Sequence, residues 1–183
     1  MAKLYDEITD ELKEWIGRQQ MFFVATAPLS ADGHVNCSPK GSDTFRVLGP
    51  HEVAYLDFTG SGAETIAHLR ENGRIVFMFC AFEASPKIVR LHGKAKYMTP
   101  DSEEWSALRT QFPDAPGERS IIRAEITRVC DSCGFSVPRY EFVEQRTILE
   151  DWADKNGQAG VIAYQQKKNL QSIDGLPALE KKE

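Results

Sequence analysis

Between residues 5 and 18, Ile8, Leu12, Trp15 and Ile16 recur at spacings of three and four with acids among them, which predicts an amphipathic helix of about three to four turns. From Met21 to Ala27 the residues become a compact apolar and β-branched run, followed by the turn Ser30-Ala31-Asp32-Gly33 and by His34–Lys40. This is the pattern of a β-hairpin, and Pro39, which has no N–H for a ladder, places its second strand at an edge. Phe45–Leu48 and Val53–Phe58 are further strands divided by Gly49-Pro50. Thr59-Gly60-Ser61-Gly62 then interrupts the pattern, and Ala63–Asn72 resumes at helical spacing through Ile66 and Leu69, with Gly73 as its cap. Ile75–Phe82 is the most hydrophobic stretch and is expected to be a strand buried on both faces in the middle of a sheet.

Lys87–Met98 alternates as a long antiparallel partner, Asp101–Phe112 reads as a capped helix, and Arg119–Val129 returns to strand character. Thr147–Asn156, ended by Gly157, is another helix and Gly160–Lys168 one more; the apolar tail Asn169–Leu179 is expected to dock on its own body or on a second subunit. No repeat or boundary divides the chain. It therefore reads as one domain, 1–183: an N-terminal helix (1–18), a barrel core (20–130), and a C-terminal loop, helices and docking tail (131–183). Strands outnumber helices, so the expected class is mainly β with peripheral helices.

Hydrophobic residues make up 42% of the 183 and charged residues 27%, which excludes a disordered chain. The 22 basic against 27 acidic residues, net −5, argue against nucleic acid as a partner. No apolar run reaches the roughly 18 residues of a membrane span, and Met1–Glu7 lacks the apolar stretch of a secretory signal, so a cytoplasmic location is expected.

Cys130-x-x-Cys133 has no second pair to complete a zinc site, and the glycine and proline that follow do not suit a thioredoxin-like setting; the pair reads as small residues in a tight loop. His34, His51, His68 and His92 stand apart and no nucleophile elbow accompanies them, so no metal ligand and no catalytic side chain is assigned. Gly60-Ser61-Gly62 fits neither a dinucleotide fingerprint nor a phosphate-binding loop. It would nevertheless bring backbone N–H groups and the hydroxyls of Thr59, Ser61 and Thr65 to the positive end of a helix, chemistry that suits an anion, with Lys40 as the nearby cation.

Four segments then recur in a known order: Asn36-Cys37-Ser38-Pro39-Lys40-Gly41, Tyr55-Leu56-Asp57-Phe58-Thr59-Gly60, the helix end Leu69-Arg70-Glu71-Asn72, and Arg90-Leu91-His92-Gly93-Lys94-Ala95. With Asp131–Pro138 and Lys168–Pro177, this order resembles the pyridoxamine 5′-phosphate oxidase-related family of flavin-binding split β-barrels, over about residues 15–179. The resemblance implies a six-stranded antiparallel split barrel and a homodimer with FMN at the subunit interface. It implies a cofactor set of Val35, Asn36, Cys37, Ser38, Pro39 and Lys40, with Lys40 on the phosphate, and of Phe58, Thr59, Gly60, Ser61 and Thr65. Lys168 and Asn169 are assigned by their place in the chain as contacts from the partner subunit. Two positions depart from the family pattern: Val35 stands where the oxidase has an arginine, and Glu64-Thr65 where it has Arg-Lys, leaving Arg90, Arg139 and Arg146 as candidate replacements. The expected function is a flavin-dependent oxidoreductase for a small molecule, without pyridoxamine-phosphate oxidase activity. The alternatives are a non-catalytic flavin or haem module, with His34 or His92 as the haem ligand, and a deazaflavin-dependent reductase.

Overall fold

Strands with period-two alternation frame residues 3–182, which the computed structural model describes; residues 1, 2 and 183 at the ends of the expected domain lie outside the described residues. The strands are β1 (Leu4–Tyr5), β2 (Phe22–Thr26), β3 (Asn36–Lys40), β4 (Phe45–Gly49), β5 (Glu52–Phe58), β6 (Arg74–Cys80), β7 (Ile88–Met98) and β8 (Glu118–Ser132). The helices are α1 (Asp10–Gly17), α2 (Glu64–Glu71), α3 (Glu103–Arg109) and α4 (Ile148–Lys168). All ladders are antiparallel, along the path β3-β2-β6-β7-β8-β5-β4, with β1 on β8. The path carries one strand more than the expected six, and the two-residue β1 adds another.

The sheet curls around Phe22, Val24, Tyr55, Phe77, Phe79, Leu91 and Ile122, all buried, and α1 and α2 plug it with Leu12, Ile16, Ile66 and Ala67. Phe22 meets the rings of Phe45 and Tyr55 across this interior at 4.9 and 5.7 Å between centroids, so aromatic packing draws together strands that no ladder joins. A second apolar cluster forms on the outer face, where α3 lays Trp105 over Ala54, Leu56, Met98 and Ile121.

The hairpin, the edge position of the Pro39 strand and the Gly73 cap (φ +71°) match the sequence reading. Three expectations are corrected. The first helix begins at Asp10 because Thr9 caps it, its side chain accepting from the Leu12 N–H, while Leu4 and Tyr5 pair with Cys130 and Val129. The strand around Ile75–Phe82 is not buried on both faces: Ile75, Phe77 and Phe79 point inward but Val76 and Met78 are half-exposed, and β7 occupies the centre of the path. Cys130 and Cys133 do not share a loop, since Cys130 lies within β8 opposite Arg90. Gly157 (φ 63°, ψ 172°) breaks α4 into the two helices read from the sequence. The tail docks on its own body, with Ala178 and Leu179 buried.

Candidate functional site

Register gives the first part of the site. Asn36, Ser38 and Lys40 lie opposite Thr26, Val24 and Phe22, and so share the inward face of the hairpin. Cys37 and Pro39 consequently face solvent, and Val35 is 72% exposed. The Asn36 amide is fully engaged as a donor, to Thr26 Oγ1 (3.2 Å) and Thr65 Oγ1 (3.0 Å), while its Oδ1 accepts from Ser38 Oγ (3.0 Å). Thr26 Oγ1 is 2.9 Å from His68 Nδ1, and burial keeps that imidazole below its usual pKa against the pull of Asp174, Glu64 and Glu71. These bonds tie β2, β3 and α2 together.

Lys40 does something other than wait for a ligand. Its Nζ donates to Asp57 Oδ1 (3.1 Å) across the gap between β3 and β5, and Asp57 Oδ2 accepts from Arg119 Nε (2.9 Å) and Ser120 Oγ (3.2 Å). Asp57 is buried, which alone would raise its pKa; Arg119 and then Lys40 outweigh that and hold the carboxyl below its ordinary range. The lysine and arginine close the open seam of the barrel around one carboxylate. Beyond Lys40 a cleft of about 700 Å³ opens between Trp15, Met21, Pro39 and the segment Tyr140–Arg146.

The Thr59–Ala63 turn is the second part. Thr59 is buried and accepts at Oγ1 from Gln165 Nε2 (2.7 Å), and Asn169 Nδ2 donates to the Gly60 carbonyl (3.0 Å). Asn169 contacts the turn of its own chain, because the residues after α4 fold back as a short hairpin joined by Ala178 N–H to Leu170 O and Leu179 N–H to Asn169 O. The tip of this hairpin meets both sides of the site: Ile173 N–H donates to Glu64 Oε1 (3.3 Å), and Asp174 accepts from the His34 N–H (2.8 Å) and lies 2.6 Å from His34 Nδ1. Lys168 and Ser61 are exposed, and Phe58 turns away into the α3 cluster.

The third part is the outer face of the sheet. Pro39, Phe23, Met78, Arg90 and Cys130 form one continuous row across five strands; Cys37, Ala25, Val76, His92 and Arg128 form the next. Phe23, Ala25, Val76 and Met78 are only half-buried, and neither Arg90 nor Arg128 joins an ion pair among the described residues. Burial, then Arg128 and Arg90, lower the pKa of His92 below its ordinary value.

The thirteen expected cofactor residues thus divide among an inner hydrogen-bonded row, a solvent-facing edge, a turn and an unrelated cluster. Asp57, Arg119, Gln165 and the Glu64 carboxylate were missed. Asp57 had a signal, because a lone acid inside the apolar run Val53–Phe58 needs a buried cation. The residues at the turn do not fit the phosphate of FMN: Lys40 is committed to Asp57, and the Glu64 carboxylate already lies beside Gly62.

Residues 8–133 match the family model described as pyridoxamine 5′-phosphate oxidase. The pyridoxamine 5′-phosphate oxidase family protein ustO of Aspergillus flavus is 38% identical over 201 residues, covering 98% of this chain and 78% of ustO. Among solved structures, HupZ of Group A Streptococcus superposes with a TM-score of 0.51 at 23% identity, covering 67% of this chain and 91% of HupZ. A histidine-to-alanine variant of HupZ gives 0.53 at 22% identity, covering 68% and 99%. These two share the fold.

Proposed function

Because this chain belongs to the pyridoxamine 5′-phosphate oxidase family, we propose that it is a homodimeric flavin-binding protein and a flavin-dependent oxidoreductase for a small molecule. The observation that carries this reading is the outer sheet face. A row of apolar side chains in register, left half-exposed by the protomer and bordered by two arginines without carboxylate partners among the described residues, suits burial against a second copy and an aromatic ring between the two. FMN is the form the family pattern favours, with the Thr59–Thr65 turn proposed to meet its polyol chain, while Asn36 and Ser38, on the inward face of the hairpin, hold β3 against β2 and α2. Lys40 is reassigned to support the site from beneath, through Asp57. No step of chemistry is assigned to a side chain. Light scattering of the purified protein, with and without added flavin, tests the assembly: a mass of two chains is expected, and a monomer under both conditions contradicts the proposal.

A second reading, a haem-binding module, is favoured by one observation. His92 lies on the same apolar face, flanked by Arg90 and Arg128, and its lowered pKa favours the unprotonated imidazole that ligates iron. An intense Soret band after haem addition, lost in His92→Ala, is the result expected of that alternative.

A further inference from the structure

The turn at the start of α2 carries a carboxylate where an anion site would present a cation. Glu64, the first residue of α2, folds back over the turn: its Oε2 occupies the space that a Cβ on Gly62 would need, so the missing side chain at 62 makes room for the carboxylate. Its Oε1 is engaged by the Ile173 N–H. A carboxylate here is favoured by the positive end of the helix and takes the place that an external anion would have taken.

An independent observation points the same way. Asn169 is fully buried; its Nδ2 donates to the Gly60 carbonyl of the turn, and its Oδ1 is buried with no hydrogen-bond partner among the described residues. An orphaned acceptor is satisfied by an incoming hydroxyl or N–H; a phosphate dianion has neither. The cations near the turn are already engaged, the partly exposed Lys40 by Asp57 and the buried Arg119 by Asp57 and by the Gly62 carbonyl of the turn itself at 2.8 Å.

We propose that this turn recognises the hydroxyl-bearing end of its ligand, a polyol chain of the ribityl type, and that Glu64 is the specificity residue that denies a terminal phosphate any gain in affinity. The proposal rests on the flavin reading above and sharpens it: riboflavin and FMN should bind with similar affinity, in contrast to a site built around a phosphate grip. Glu64→Gln keeps the shape and the acceptor for Ile173 while removing the charge.

Flavin-fluorescence titration of the full chain with riboflavin and with FMN tests this. The expected result is two dissociation constants within about tenfold of each other for the unaltered protein, and in Glu64→Gln a gain of roughly tenfold for FMN with riboflavin unmoved, the scale of one charge-assisted contact. FMN binding to the unaltered protein about a hundredfold tighter than riboflavin, or a ratio that Glu64→Gln leaves unchanged, would overturn the proposal while the flavin reading stands. If neither flavin binds, the flavin reading fails and takes this inference with it.

Discussion

Asp57 is the residue on which the site depends. Two cations and a hydroxyl surround one buried carboxylate, so Asp57→Asn leaves Arg119 buried without its counter-charge, and the expected loss is about 3–5 kcal/mol in chemical denaturation. Its folded pKa is depressed, so the stabilisation is present above the unfolded carboxylate value and is lost as pH falls through the folded one. The unaltered protein should therefore lose stability more steeply on acidification than Asp57→Asn, and equal slopes would contradict the assignment. Lys40→Ala removes only the partly exposed partner and should cost about 1–2 kcal/mol without loss of flavin retention, whereas loss of the flavin from a folded Lys40→Ala protein would return Lys40 to the ligand.

Among the elements, the bulge between β7 and β8 governs curvature. A Cβ on Gly93 would collide with the Glu125 carbonyl oxygen, and backbone cannot yield as a side-chain tip can. Gly93→Ala should lower stability by more than about 3 kcal/mol, read as a fall in the denaturation midpoint, and a neutral substitution would show that the register shift is not fixed there. The elements themselves were legible from pattern, because the compact apolar and β-branched run Met21–Ala27 reads as a strand and helical spacing at Ile66 and Leu69 as a helix, although the alternation of burial along Phe22–Thr26 is set by the fold. The site was legible in its segments and not in its bonds. Asn36, Thr59, Thr65 and Asn169 do converge on the region around α2, but the commitment of Lys40 to Asp57 depends on β3 and β5 meeting across the seam, and no local pattern encodes that non-local contact. The β6 strand misled for a related reason. Its apolar residues Val76 and Met78 read as core, whereas the protomer leaves them half-exposed.

At the scale of the whole molecule, those two residues become the argument for assembly. Met78 lies between Phe23 and Arg90 at the middle of the apolar row, so a charge there would face a second copy and not the protomer's core. Met78→Glu should leave the far-ultraviolet spectrum and unfolding transition of the protomer in place while shifting the mass in solution from two chains to one. A dimer that survives this substitution would move the interface elsewhere.

Flavin retention decides whether the site has been read correctly. The purified protein is mixed with excess FMN or riboflavin and desalted, and its absorbance spectrum is recorded on the fraction of two-chain mass. The expected result is the pair of visible and near-ultraviolet bands of oxidised flavin, retained from either ligand and travelling with the dimer. A colourless dimer after both would contradict the flavin assignment, and a Soret band in its place after haem addition would transfer the site to His92.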